Sequence, residues 1–221
     1  MTIALAVFDL DGTLVDSRRD LADSANDMLA GYGAPPLPDE QIVSMVGCGA
    51  ATLVGRVLAA AGVDASAEEA LPRFLSHYDR RLTHYTRPYD GIPELLEDLR
   101  RSEMAMALLT NKPLEQSVTI LEAFGLSPYF RWMVGGDGPW PRKPSSEGLR
   151  FLMQEASAQP GDTMLIGDST IDLQTARNAG VRICLARYGF GYADLPAADL
   201  RGDEALVDAP AEIAGVLHAG R

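Results

Sequence analysis

The sequence predicts an α/β fold, a parallel sheet with helices on both faces and an all-helical insert after the first strand. Three observations carry this. Residues 16–87 hold four helical patterns and no strand; from residue 88 onward, strand-length apolar runs alternate with helical periodicity; and several of those runs end abruptly in polar residues. With 221 residues, 47% of them hydrophobic, the chain can bury one large core or two modest ones.

The first strand, residues 3–10, runs into Asp9-Leu10-Asp11-Gly12. Side chains two apart on a strand face the same side, so both carboxylates converge at its carboxyl end, where open α/β sheets bind ligands. Gly12 permits a tight turn and offers its amide to an anion. Two acids so close repel when both are ionised, which suggests a nucleophile beside an acid/base, or a metal site. Alone, the pair also fits an acidic turn before a helix.

Asp16 or Ser17 is placed to cap the next helix, whose Leu21, Ala25, Met28, Leu29 and Tyr32 recur at helical spacing until Gly33. After a proline-rich bridge come a short helix over 39–46, a break at Gly47-Cys48-Gly49, and a helix burying Leu53, Val54, Val57 and Leu58 up to Gly62. Ser66 and Glu69 form a capping-box pattern ahead of Phe74, Tyr78, Leu82 and Tyr85, with Pro72 the awkward residue for a helix start. The alternating half follows: helix 93–101, strand 104–109, helix 114–124, strand 132–134, helix 146–158, strand 163–166, helix 170–179, strand 181–186 and a last helix from about Ala211. Residues 188–203 read as the longest loop.

Lys and Arg number 19 against 31 Asp and Glu, a net charge of -12 that argues against nucleic acid or an anionic membrane as partner. Cys48 and Cys184 lie far apart, which fits neither a disulfide framework nor a zinc site and implies a reducing cytoplasm. No apolar stretch approaches the ~20 residues of a membrane span, and the amino terminus lacks a basic leader.

Three later strands also end in phosphate-compatible groups. Thr110-Asn111-Lys112 brings a hydroxyl and an amide out of an apolar run, and Arg142-Lys143-Pro144 sets a lysine ahead of a helix. Each alone fits an ordinary turn or a solvated lysine. Gly167-Asp168-Ser169-Thr170-Ile171-Asp172 places acids four apart at a strand end and in a first helical turn. There they can cap the helix or, with Asp9 and Asp11, supply the oxygen ligands Mg2+ prefers.

With these four motifs in order, the sequence resembles the haloacid dehalogenase superfamily of phosphatases over its whole length, and most closely their phosphoglycolate phosphatase group. Val46-Gly47-Cys48-Gly49, Gly135-Gly136-Asp137 and Tyr188-Gly189-Phe190-Gly191 add to the likeness. Lys143-Pro144-Ser145-Ser146 departs from it, lacking a second proline, and Gly138-Pro139-Trp140-Pro141 is unusual. The resemblance implies a Rossmann-like core of residues 1–15 and 88–221 with a helical cap at 16–87. It implies Asp9 as nucleophile, Asp11 as acid/base, and Lys143 as the cation on the phosphoryl group. Gly12, Thr110, Asn111 and Lys112 would bind substrate, and Mg2+ would be held by Asp9, the Asp11 carbonyl and Asp168, with Asp172 one layer out. The expected substrate is a small phosphate monoester, 2-phosphoglycolate first. Competing readings are a mutase or phosphonatase on the same core, an aspartate-phosphorylated regulatory protein, which needs neither Asp11 nor a cap, and an inactive relative. A carboxylate-bearing substrate needs a further cation, with Lys112 favoured over Arg18, Arg19 and Arg56.

Overall fold

The computed structural model describes residues 3–219. Strand β1 (Leu5–Phe8) is buried throughout and pairs in parallel with β4 (Ala105–Leu109) on one side and β6 (Thr163–Gly167) on the other. Beyond these lie β5 (Trp132–Val134), and on the opposite flank β7 (Arg182–Ala186) and β8 (Ala205–Val207), giving the order β5-β4-β1-β6-β7-β8 with every pairing parallel. The chain leaves β1 toward one edge and later returns to its other side. The order therefore reverses at β1, the switch point at whose carboxyl end such sheets hold ligands.

Alternation along β1 divides the core. Ala6 and Phe8 point to the side covered by α5 (Ile92–Arg101), α6 (Leu114–Ala123) and α9 (Pro210–His218), through Leu96, Leu99, Ile120, Leu121, Ile213 and Leu217. Leu5 and Val7 point to α7 (Glu147–Glu155) and α8 (Thr170–Ala179), against Leu149, Leu152, Leu173 and Ala176. Both faces are apolar because both are covered by helices.

Between two short strands, β2 (Val15–Asp16) and β3 (Arg87–Pro88), the chain forms α1 (Arg18–Ala30), α2 (Asp39–Val43), α3 (Ala50–Ala60) and α4 (Ala67–Asp79). Leu21, Met28, Leu29, Val54, Val57, Leu58, Phe74 and Tyr78 form its buried interior. β2 and β3 pair antiparallel, so exit and return legs run side by side. Buried Asp20, in the first turn of α1, accepts the amides of Tyr85 and Thr86 and the Thr86 hydroxyl, tying the return leg to the outgoing helix.

Several boundaries move. Ser66 caps α4 as expected, accepting the Glu69 amide, and Pro72 sits inside the helix on an exposed face, where water can satisfy the carbonyl its missing N–H abandons. That helix ends at Asp79 instead of reaching Tyr85, and α1, α2 and α7 stop at Ala30, Val43 and Glu155. Ser17 stands at the start of α1 without capping it, and its hydroxyl donates to Asp11. No described helix is long and apolar enough to cross a membrane.

Candidate active site

At the carboxyl end of β1, the Asp9 amide continues the ladder to the Ile166 carbonyl, and its side chain turns into the cleft. Asp9 Oδ1 accepts the Leu10 amide at 2.7 Å and lies 2.9 Å from Lys143 Nζ. Lys143 reaches on to Asp172 Oδ1 at 2.6 Å, so one buried ammonium bridges a carboxylate after β1 and one in the first turn of α8. Burial disfavours that charge, but Asp172 and Asp9 outweigh it and hold the Lys143 pKa above its usual value.

Asp172 is wholly engaged. Its Oδ2 accepts the Ser169 hydroxyl at 2.6 Å and the amides of Ser169 and Asp168, while Ser169 caps α8 in return. It therefore anchors Lys143 and the first turn of α8. Asp168 lies against the backbone of Gly12, where a Cβ would come within 1.9 Å of its Oδ2; that oxygen accepts the Gly191 amide at 2.7 Å. Burial, with Asp172 and Asp9 nearby, pushes the Asp168 pKa well above the usual carboxylate value. Asp9 is pushed up to about 6, chiefly by burial, with Lys143 pulling down and Asp172 adding to the rise.

One oxygen each of Asp9, Asp168 and Asp172 lies within 4.8 Å of the others. Four carboxylates, those three and Asp11, face the ammonium groups of Lys112 and Lys143, leaving two negative charges uncompensated when all are ionised. Hard oxygen donors with that excess charge fit a divalent cation such as Mg2+.

Asp11 lines the same cavity but pairs with a different set of groups. Its carboxylate takes Lys112 Nζ at 3.0 and 2.9 Å and the Ser17 hydroxyl at 2.6 Å, while the ammonium of Lys112 lies 4.5 Å over the ring of Tyr78 from α4. Lys112 is thus spent on Asp11. Gly12 differs from expectation too: its amide donates to the Val15 carbonyl at 2.9 Å, closing the turn. What the site requires of Gly12 is a φ of 83° and no side chain where Asp168 sits. Thr110 lies at the end of β4, its hydroxyl accepting the Lys112 amide and keeping its proton for a second partner.

Asn111, expected to reach a phosphoryl oxygen, is committed elsewhere. Its Oδ1 accepts the Lys143 amide at 2.8 Å, and its Nδ2 donates to the carbonyls of Lys143 and Gly47, each at 2.9 Å. A cavity of about 260 Å³ lies between the helical insert and the sheet edge, lined by Asp9, Asp11, Thr110, Lys112, Asp168 and Arg56 among others. Its size suits a small metabolite. Sequence reading took Ser17 for a helix cap, since nothing in the sequence signals its bond to Asp11 six residues away, and it missed Ser169, although Ser169-x-x-Asp172 has capping-box spacing. It noted Gly189 and Gly191 only as a resemblance, although paired glycines after a strand signal a close backbone approach, here to Asp168.

The family model described as haloacid dehalogenase-like hydrolase matches residues 6–186. Phosphoglycolate phosphatase 1 of Pseudomonas aeruginosa is 39% identical over 193 residues, covering 85% of this chain and 71% of that protein. Phosphoglycolate phosphatase, plasmid, of Cupriavidus necator is 36% identical over 217 residues, 97% of this chain and 93% of its own. Among solved structures, a predicted phosphoglycolate phosphatase from Haemophilus somnus superposes with a TM-score of 0.91 at 30% identity, covering 98% of each chain.

Proposed function

The chain belongs to the haloacid dehalogenase-like hydrolases and is a phosphoric monoester hydrolase, and we propose that it is a Mg2+-dependent phosphatase of 2-phosphoglycolate working through an aspartyl-phosphate. The observation that carries this reading is the meeting of Asp9, Asp168, Asp172 and Lys143 at the switch point of the sheet. The names of the relatives support 2-phosphoglycolate as the substrate.

In this reading Asp9 attacks phosphorus. Lys143 and the Leu10 amide both address its Oδ1, so Oδ2 is the oxygen assigned to attack, with its orientation fixed in advance. Asp11 protonates the leaving alkoxide and then takes a proton from the water that cleaves the intermediate; its bonds to Lys112 and Ser17 hold it beside the nucleophile until the ester arrives. Lys143 and the Thr110 hydroxyl hold phosphoryl oxygens, the work on which phosphoryl transfer mainly depends. Asp9, the Asp11 carbonyl and Asp168 would hold Mg2+, which when bound neutralises phosphoryl charge. Residues 16–87 act as a cap that covers the site and excludes water. Free Cys48 and Cys184 support a reducing cytoplasmic setting.

The carboxylate of the leaving group needs a cation not already engaged. Arg18 is paired with Asp16, Arg19 stacks on Tyr85, and Lys112 is held by both oxygens of Asp11. Arg56 lines the cavity and spends its donors on the Met45 carbonyl and the Cys48 sulfur, neither of them charged partners. The assignment therefore moves from Lys112 to Arg56. A screen of phosphate monoesters with Mg2+ tests the function: 2-phosphoglycolate should lead in kcat/KM, and preference for a sugar phosphate would overturn the substrate.

A further inference from the structure

We infer that Asn111 is a positioning residue which docks the Gly47-Cys48-Gly49 turn of the helical insert onto the backbone of Lys143. Closure over the cavity and placement of the lysine are then one event. The inference rests on the proposed roles of Lys143 and of the insert.

The three partners of the amide fix its orientation without ambiguity. The Lys143 amide can only donate, and the carbonyls of Lys143 and Gly47 can only accept, so Oδ1 must face the first and Nδ2 the other two. Both amide hydrogens are used, one inside the core and one on the insert. A primary amide is the side chain that meets this set: a carboxylate would face two carbonyl oxygens, and a hydroxyl has one hydrogen.

The surroundings are built for close approach. Gly49 has φ 89° and ψ 161°, a conformation all but reserved for glycine, and a Cβ there would lie 3.3 Å from the Asn111 carbonyl and 3.1 Å from Arg142 Nε. On the other side, a Cβ on Gly136 would fall 2.1 Å from the same Asn111 carbonyl, and the Gly136 carbonyl accepts Arg142 Nε at 2.7 Å. The Gly136 loop and the turn of the insert thus close on the main-chain carbonyl of Asn111, while that turn and the Lys143 loop bond its side chain. When the turn is seated, Asn111 holds both backbone groups of Lys143, whose ammonium in turn holds Asp9. When it lifts, an amide hydrogen loses its acceptor and the hold on the Lys143 loop loosens.

Cys48 reports on the turn directly, since it sits within it, half-buried, while Cys184 is fully buried in the core. The test combines Cys48 labelling by a disulfide reagent, read by mass spectrometry, with steady-state kinetics on p-nitrophenyl phosphate. Two variants approach from opposite sides: Asn111→Ala from the core and Gly49→Ala from the insert, the latter keeping the experiment valid if the former does not fold. Both should speed Cys48 labelling several-fold and lower kcat by about ten- to a hundredfold, the cost of a displaced catalytic group, with KM within about twofold. Labelling at the wild-type rate overturns the docking; unchanged kcat overturns the link to Lys143; a rise in KM alone returns Asn111 to direct substrate contact. Labelling is read without turnover, so it decides the docking even for a chain that hydrolyses no phosphate ester, the result that would instead defeat the proposed function.

Discussion

Lys143 shows how much the site asks of single side chains: one buried ammonium fixes the proposed nucleophile from one side and the first turn of α8, through Asp172, from the other. Asp9→Asn should abolish turnover, because a neutral amide is a poor nucleophile, while the near-identical shape leaves the fold intact; circular dichroism beside the assay checks both halves. Arg56→Ala should raise KM for 2-phosphoglycolate about ten- to a hundredfold, the ~1.5 to 3 kcal/mol of a charge-assisted hydrogen bond, with p-nitrophenyl phosphate little changed. Equal loss on both substrates would remove Arg56 from leaving-group recognition. At this scale the acids were legible because an apolar strand ending in carboxylates is chemically conspicuous. The roles of Gly12, Asn111 and Lys112 were not, since each is decided by a partner distant in sequence: Asp168, Gly47 with Lys143, and Asp11.

Elements with a period announced themselves, and elements without one did not. The helices carrying Leu53 to Leu58 and Phe74 to Tyr78, and the long strands β4, β6 and β7, fall where their apolar spacing puts them. β2 and β3 have two residues each, too few to show alternation, so the paired legs of the insert were invisible; β8, no shorter than β5, went unread beyond the 188–203 loop. Those legs depend on Asp20, whose buried carboxylate receives two backbone amides and a hydroxyl. Asp20→Ala leaves those donors without an acceptor and should destabilise the protein by about 3 kcal/mol, lowering Tm by roughly 6 to 12 °C at this chain length. A melting curve within a degree or two of wild type would mean that the return leg is held by other contacts.

On the scale of the whole molecule, a chain of net charge -12 is proposed to take an anion, and what reconciles the two is local. The lysines come from the loops after β4 and β5, Arg56 comes from the insert, and the remaining compensation is assigned to a divalent cation. Removing metal with chelator should abolish activity, added Mg2+ should restore it, and Ca2+ should suppress it, since it asks for more ligands at longer distances than this cluster offers. Asp168→Ala should raise the Mg2+ concentration needed for half-maximal rate. The central claim, that chemistry passes through a covalent bond to Asp9, is tested most directly by acid-quenching the enzyme during turnover of 2-phosphoglycolate and mapping the phosphorylated peptide. The account predicts an acid-stable, base-labile phosphoryl group on Asp9, absent from Asp9→Asn. A phosphoryl group on another residue, or steady turnover with Asp9 unmodified at every quench time, would contradict it.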